Sequence, residues 1–195
     1  MEGIKNRFKR AIVLVLVISM FGVFATTDAF ASIPMNSTVT QANTADVNPG
    51  QTDREILRVN IMNNFGCAAE TITSMQFTMQ NTYNADVSNA KIYYTGTSST
   101  FAATPPANCT TCTIANPTGT ITFNFSQDIG TSSVYFWLAF DVASGANTCG
   151  GIVDAFVPDN GVDPQDFYTT SGGCFNEPAP PTPNPAGNRV IEEEA

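Results

Sequence analysis

The stretch Ser133 to Gly145, SVYFWLAFDVASG, constrains the fold of this chain more than any other. Val134, Phe136, Leu138, Phe140 and Val142 alternate along one side of a strand, and Tyr135, Trp137 and Ala139 make the other side largely apolar as well. A strand apolar on both sides must be covered on both, or covered on one and crossed by a loop on the other. At about 3.3 Å per residue such a run could reach across a bilayer. A lone strand in lipid, however, leaves its backbone groups unpaired unless a barrel closes. Too few other segments offer an apolar outer face to close one. The stretch reads as the central strand of a buried sheet.

The rest of the chain supplies partners for that strand. A short strand near Thr38 to Gln41 is followed by a Pro-Gly turn, and then by REILRVNIM, with Leu57, Val59 and Ile61 opposite Arg58 and Asn60. ETITSMQFTMQ puts Thr73, Met75, Phe77 and Met79 on one face, NAKIYYTG pairs Ile92 with Tyr94, and GTITFNFSQ alternates Ile121, Phe123 and Phe125 with Thr122 and Asn124. GIVDAFV and DFYTT read as two more strands. The Pro-rich stretch 177–186 is either a bare linker or a long loop leading to a last edge strand, Arg189 to Glu192. The sum is roughly eight or nine short strands, the pattern of an all-β, antiparallel sandwich of immunoglobulin-like or jelly-roll type.

The N-terminus carries an address. Lys5, Arg7, Lys9 and Arg10 precede an apolar run from Ala11 to Ala25, and Ala29-Phe30-Ala31 places small residues where a signal peptidase reads. The run is shorter than the roughly 20 apolar residues of a spanning helix, so cleavage before Ser32 is expected, leaving a secreted or cell-surface protein with no membrane span. The expected organisation is a signal peptide at 1–31, one sandwich domain at 32–192 with the Pro-rich loop at 177–186, and an acidic tail at 193–195. The mature chain keeps four basic residues, Arg54, Arg58, Lys91 and Arg189, against fifteen acidic ones, a net charge of −11. That balance offers no footprint for nucleic acid or for an anionic membrane.

Four segments in order, VTQANTADVNPGQTDREILRVNI, ADVSNAKIYYTGTSSTFA, VYFWLAFDV and PAGNRVI, resemble the β-sandwich module at the N-terminus of some Asp-box (BNR-repeat) neuraminidases. Similar modules occur in large secreted surface proteins of Bacteroidota-type bacteria. The resemblance covers roughly Thr38 to Ile191, and it implies a module that accompanies an enzyme without being the catalyst. No Asp-box of the S-x-D-x-G-x-T-W type is present, and the extra cysteines and the Pro-rich insertion after Cys174 depart from the module. Neuraminidase activity is therefore not expected to come with the likeness.

The residues that could carry chemistry point the same way. The chain has no His, so a Ser or Cys nucleophile lacks its usual base and NCTTCT lacks the His that a structural zinc site commonly adds. In an exported chain Cys109 with Cys112, and Cys149 with Cys174, read as disulfides, leaving Cys67 odd. Arg54 and Arg58 stand about 13 Å apart along one strand face, too far to converge on one carboxylate unaided. Neither an enzyme nor a cofactor is expected. Calcium is the one metal worth a test: Asp154, Asp159, Asp163 and Asp166 lie in one short region, although the spacing is not that of an EF-hand and turn chemistry explains the same residues.

Tyr93, Tyr135 and Tyr168, with Tyr83, are candidates for stacking on a glycan, against the alternative that Tyr93 and Tyr135 simply cover the second face of the sheet. Trp137 reads as core. The expected function is a non-catalytic module in adhesion or assembly at the bacterial surface. The alternatives are a carbohydrate-binding accessory module related to sialidase N-terminal domains, and self-association through the terminal strands. The partner in these readings is a surface glycan or protein.

Overall fold

The computed structural model describes residues 36–62, 70–158, 168–171 and 184–193. The expected signal peptide lies outside them, as do Cys67, Asp159, Asp163, Asp166, Cys174 and most of the Pro-rich loop. All the described residues belong to one compact unit. No helix among them is long and apolar enough to cross a membrane.

Eleven strands and one 3-10 turn make up the described chain. They are β1 (Asn36–Thr40), β2 (Arg54–Met62), β3 (Glu70–Met79), β4 (Val87–Tyr94), β5 (Thr113–Ala115), β6 (Thr120–Gly130), β7 (Ser133–Val142), β8 (Ile152–Val153), β9 (Ala155–Phe156), β10 (Tyr168–Ser171) and β11 (Arg189–Val190). The larger sheet runs β1-β2-β7-β4-β5, and the smaller runs β10-β3-β6 with β9 also on β3. Every ladder between named strands is antiparallel. This is the expected all-β sandwich. The count exceeds eight or nine because β5, β8, β9 and β11 have only two or three residues, too few to show a period.

The central position of β7 follows from its two apolar faces. Its inner set, Val134, Phe136, Leu138, Phe140 and Val142, is at most 2% exposed and joins Leu57, Val59, Ile61, Ile92, Phe77 and Phe123 in one core. Phe136 meets Phe125 of the facing sheet with ring centroids 5.5 Å apart. On the outer face Trp137 and Ala139 are also buried, because the chain after β4 folds back and sets Phe101 edge-on against Trp137 (5.5 Å) and Tyr93 (5.7 Å). The second cover is thus a crossing loop.

Two bulges shift the expected alternation. One lies between Ile72 and Ser74 in the β3–β6 ladder, so Ile72, not Thr73, is buried together with Met75 and Phe77. The other lies between Glu55 and Leu57, where Ile56 and Leu57 are buried in succession. An extra residue in one strand of a pair offsets the two-residue period locally.

At GIVDAFV the chain changes sheet. β8 pairs with β11 and β9 with β3, and Asp154 stands between them. Its side chain accepts from Ala155 N (2.8 Å), and its carbonyl accepts from Gln80 N and from the Thr82 hydroxyl. The last strand also ties back to the start: Val47 donates to Val190 O and accepts from Glu192 N, beside Ile191 in a parallel bridge.

Candidate functional site

Among the described residues, the strongest concentration of ionisable groups lies on the outer face of the larger sheet. Register decides which residues share it. Arg58 and Tyr93 both pair with Trp137, Lys91 with Ala139, and Asn89 with Asp141. Lys91 Nζ lies 2.8 Å from Asp53 Oδ1 and 2.8 Å from Asp141 Oδ1. Asp141 also accepts from Asp53 N (2.9 Å) and Asn89 Nδ2 (2.9 Å), and the Tyr93 hydroxyl donates to Asp53. Asp53 takes a φ of 55° to enter this arrangement, a conformation that Asp tolerates better than most residues.

The electrostatics are those of a strand tie. Burial works against the Lys91 charge, but hydrogen bonds to Asp141 and Asp53 outweigh it and raise its pKa well above the ordinary value. The same bond from Lys91, followed by that from Tyr93, holds Asp53 below the usual carboxylate range. Burial and then the bond to Asp53 push the Tyr93 phenol up. An ammonium locked in its charged form is a poor nucleophile and a poor base.

Beside this cluster Arg58 lies over the rings of Tyr135 (5.7 Å) and Trp137 (5.9 Å) and donates from Nε to Thr40 Oγ1 (3.2 Å). Trp137 donates to Thr95 Oγ1 at 2.9 Å. Arg189 is 2% exposed, donates to Ala45 O (2.7 Å) and Glu55 O (3.0 Å), and stands 3.7 Å from Glu55 Oε2.

The structure treats the sequence candidates unevenly. Tyr93 (7% exposed) and Tyr168 (1%) are buried, which corrects their expectation as glycan platforms. Phe101 covers the first, and the second is inside the smaller sheet, opposite Met75. Tyr135 is half-buried with Arg58 over its ring, whereas Tyr83 is 72% exposed. Asp154 is buried and engaged in its own turn, and Asp159, Asp163 and Asp166 lie outside the described residues. No three His, Cys, Asp or Glu side chains gather as a metal site among the described residues.

Cys109 and Cys112 are joined. Cys149 is an exposed free thiol, and Cys174, the partner expected for it, lies outside the described residues. The partners Asp53 and Asp141 were missed in the sequence. Their one signal is Lys91 itself, the single lysine left after residue 31, set in mid-strand where a charge needs a counter-charge.

No family model matches the sequence, and no curated protein matches it. Among solved structures the fold matches a Hadza microbial sialidase, Hz136, with a TM-score of 0.55 at 8% identity, over 79% of this chain and 31% of that one. The chain therefore spans under a third of that sialidase. A chain of the complex between a CaDoc0917 variant and CaCohA2 aligns at 13% identity over 82% of this chain and 99% of its own, with a TM-score of 0.43. At such identities the likeness is one of fold: a β-sandwich of a kind also present in a sialidase.

Proposed function

We propose that this chain is an exported, non-catalytic β-sandwich module with an adhesive or assembly role at the bacterial cell surface. The observation that carries the reading is the use of its charged groups. Lys91, Asp53 and Asp141 tie three adjacent segments of the larger sheet, Arg189 anchors the last strand to the first segments, and Asp154 holds the switch between sheets. Polar groups spent on mutual hydrogen bonds are set for the native fold and not for a substrate. Antibody to residues 32–195 is expected to label intact producing cells, and the mature protein is expected to release no sugar from a panel of glycosides that includes sialosides. Steady, protein-dependent release would contradict the proposal.

A second reading, a carbohydrate-binding accessory module, is favoured by one observation. Tyr83 is the single large hydrophobic residue that stands exposed among the described residues, and an amphipathic ring held in water suits the apolar face of a sugar.

A further inference from the structure

A polar cleft adjoins the turn that carries Tyr83. Gln80, Asn81, Asp154, Asn184 and Asn188 line it, with an accessible volume of about 330 Å³, at the lower end of the usual range for small-ligand sites. Asp154 is 5% exposed, and its carboxylate already receives Ala155 N and the Asn81 side chain. Burial raises its pKa, so a further donor to the carboxylate would be favourable. Gln80 Oε1 is buried, and no donor among the described residues reaches it. A buried acceptor left unserved favours a ligand that donates to it.

Three further amides, Asn81, Asn184 and Asn188, each offer both a donor and an acceptor. The turn is held firmly. Thr82 bonds Asp154 in both directions, and Asn81 takes a φ of 53°. The exposed ring of Tyr83 follows Asn81 by two residues.

We infer that this cleft, lined by Gln80 and Asn81 of the turn that also carries Tyr83, is a binding site for a neutral, hydroxyl-rich ligand, the terminal sugar of a glycan. The inference rests on the carbohydrate-binding reading and adds the place and the chemistry. Vicinal hydroxyls donate to acceptors and accept from amide N–H groups at once, which is what an Asp-plus-amide lining supplies. A sugar's C–H face needs an apolar plane, and Tyr83 provides one. A ligand without charge also suits a mature chain of net charge −11, which would repel anions. In the outer-face cluster at Lys91, by contrast, the donors and acceptors serve one another.

The test uses mature protein, residues 32–195, prepared under oxidising conditions. It is probed on an array of neutral and sialylated oligosaccharides beside the variants Tyr83→Ala and Asn184→Ala. Both residues are exposed, so neither change disturbs the core; circular dichroism and urea midpoints verify the fold. Saturable binding to neutral sugars, weakened at least tenfold in each variant, is expected. Binding that survives both changes would overturn this site while leaving the carbohydrate reading intact. Binding confined to sialylated sugars and lost on Arg58→Ala would move the site to the Arg58 shelf. A blank array from folded protein would remove the carbohydrate reading and this site with it.

Discussion

Lys91 shows how a single residue can mislead when it is read alone. As the one lysine past residue 31 it invites a chemical role, yet its ammonium sits between Asp53 and Asp141 at 2.8 Å from each. Its partners lie 38 and 50 residues away in sequence, so only register could have revealed them. Replacing Lys91 by Met leaves Asp141, with 7% of its side chain exposed, facing Asp53 without a counter-charge. Urea unfolding at neutral pH should show a loss of about 1–3 kcal/mol, below the full figure for breaking a buried pair because Asp53 is partly solvated.

The pH dependence follows from the shifts. Asp53 titrates below its ordinary 3.8 in the folded chain, so its contribution is present above that value and lost as pH falls through the lowered one. Lys91 and Tyr93 titrate above 10.5 and 10.0, so theirs is full below those values and lost as pH rises through the raised ones. Wild-type stability should decline at both ends of the pH range, and Lys91→Met should decline less steeply at both. Equal slopes for the two proteins, read from urea midpoints against pH, would contradict the tie.

At the scale of elements, the segment between β4 and β5 that leads into β5 is where the sheets are clipped together. Thr110 and Thr111 donate to Asn124 O of β6, and the Cys112 carbonyl accepts from Ile92 of β4. The Cys109–Cys112 bridge therefore sits where the chain passes from one sheet to the other. Its loop is short, so chain entropy limits its contribution to about 2 kcal/mol. The double variant Cys109→Ser/Cys112→Ser should lose no more than that, with faster hydrogen exchange concentrated at Ile92, Thr110 and Thr111.

The loop carrying Phe101 has its own reporter. Trp137 is the only tryptophan, so Phe101→Ala should shift its emission to the red and lower stability by about 1–2 kcal/mol, less than a full core truncation because Phe101 is only half-buried. An unchanged spectrum would mean that the loop does not cover the strand in solution.

Strands with a clear period were legible in the sequence: β2, β6 and above all β7. The bulges and the two-residue strands were not, because their positions depend on partners distant in sequence. The break of GIVDAFV at Asp154 is an example. Turn chemistry is visible there, but the choice of β11 for one half and β3 for the other is not.

At the scale of the whole molecule, Lys91, Asp53, Asp141 and Arg189 hold strands together, and Tyr83 is the one large hydrophobic side chain exposed among the described residues. The outer-face cluster and the clipped segment tie its strands together, and the cleft at Gln80 and Asn81 is the proposed place of binding. Of the candidate site, the sequence showed Tyr83 and Asp154 but not their neighbourhood, which brings together turns some 30 and 70 residues apart. The proposed role requires attachment without turnover. The most direct measurement is the binding of fluorescently labelled mature protein to washed bacterial envelopes, with released sugar assayed in the same tubes. Saturable binding, displaced by unlabelled protein and with no rise in free sugar, is the predicted result. Protein that stays in the supernatant at every concentration, or sugar that accumulates with time, would contradict it.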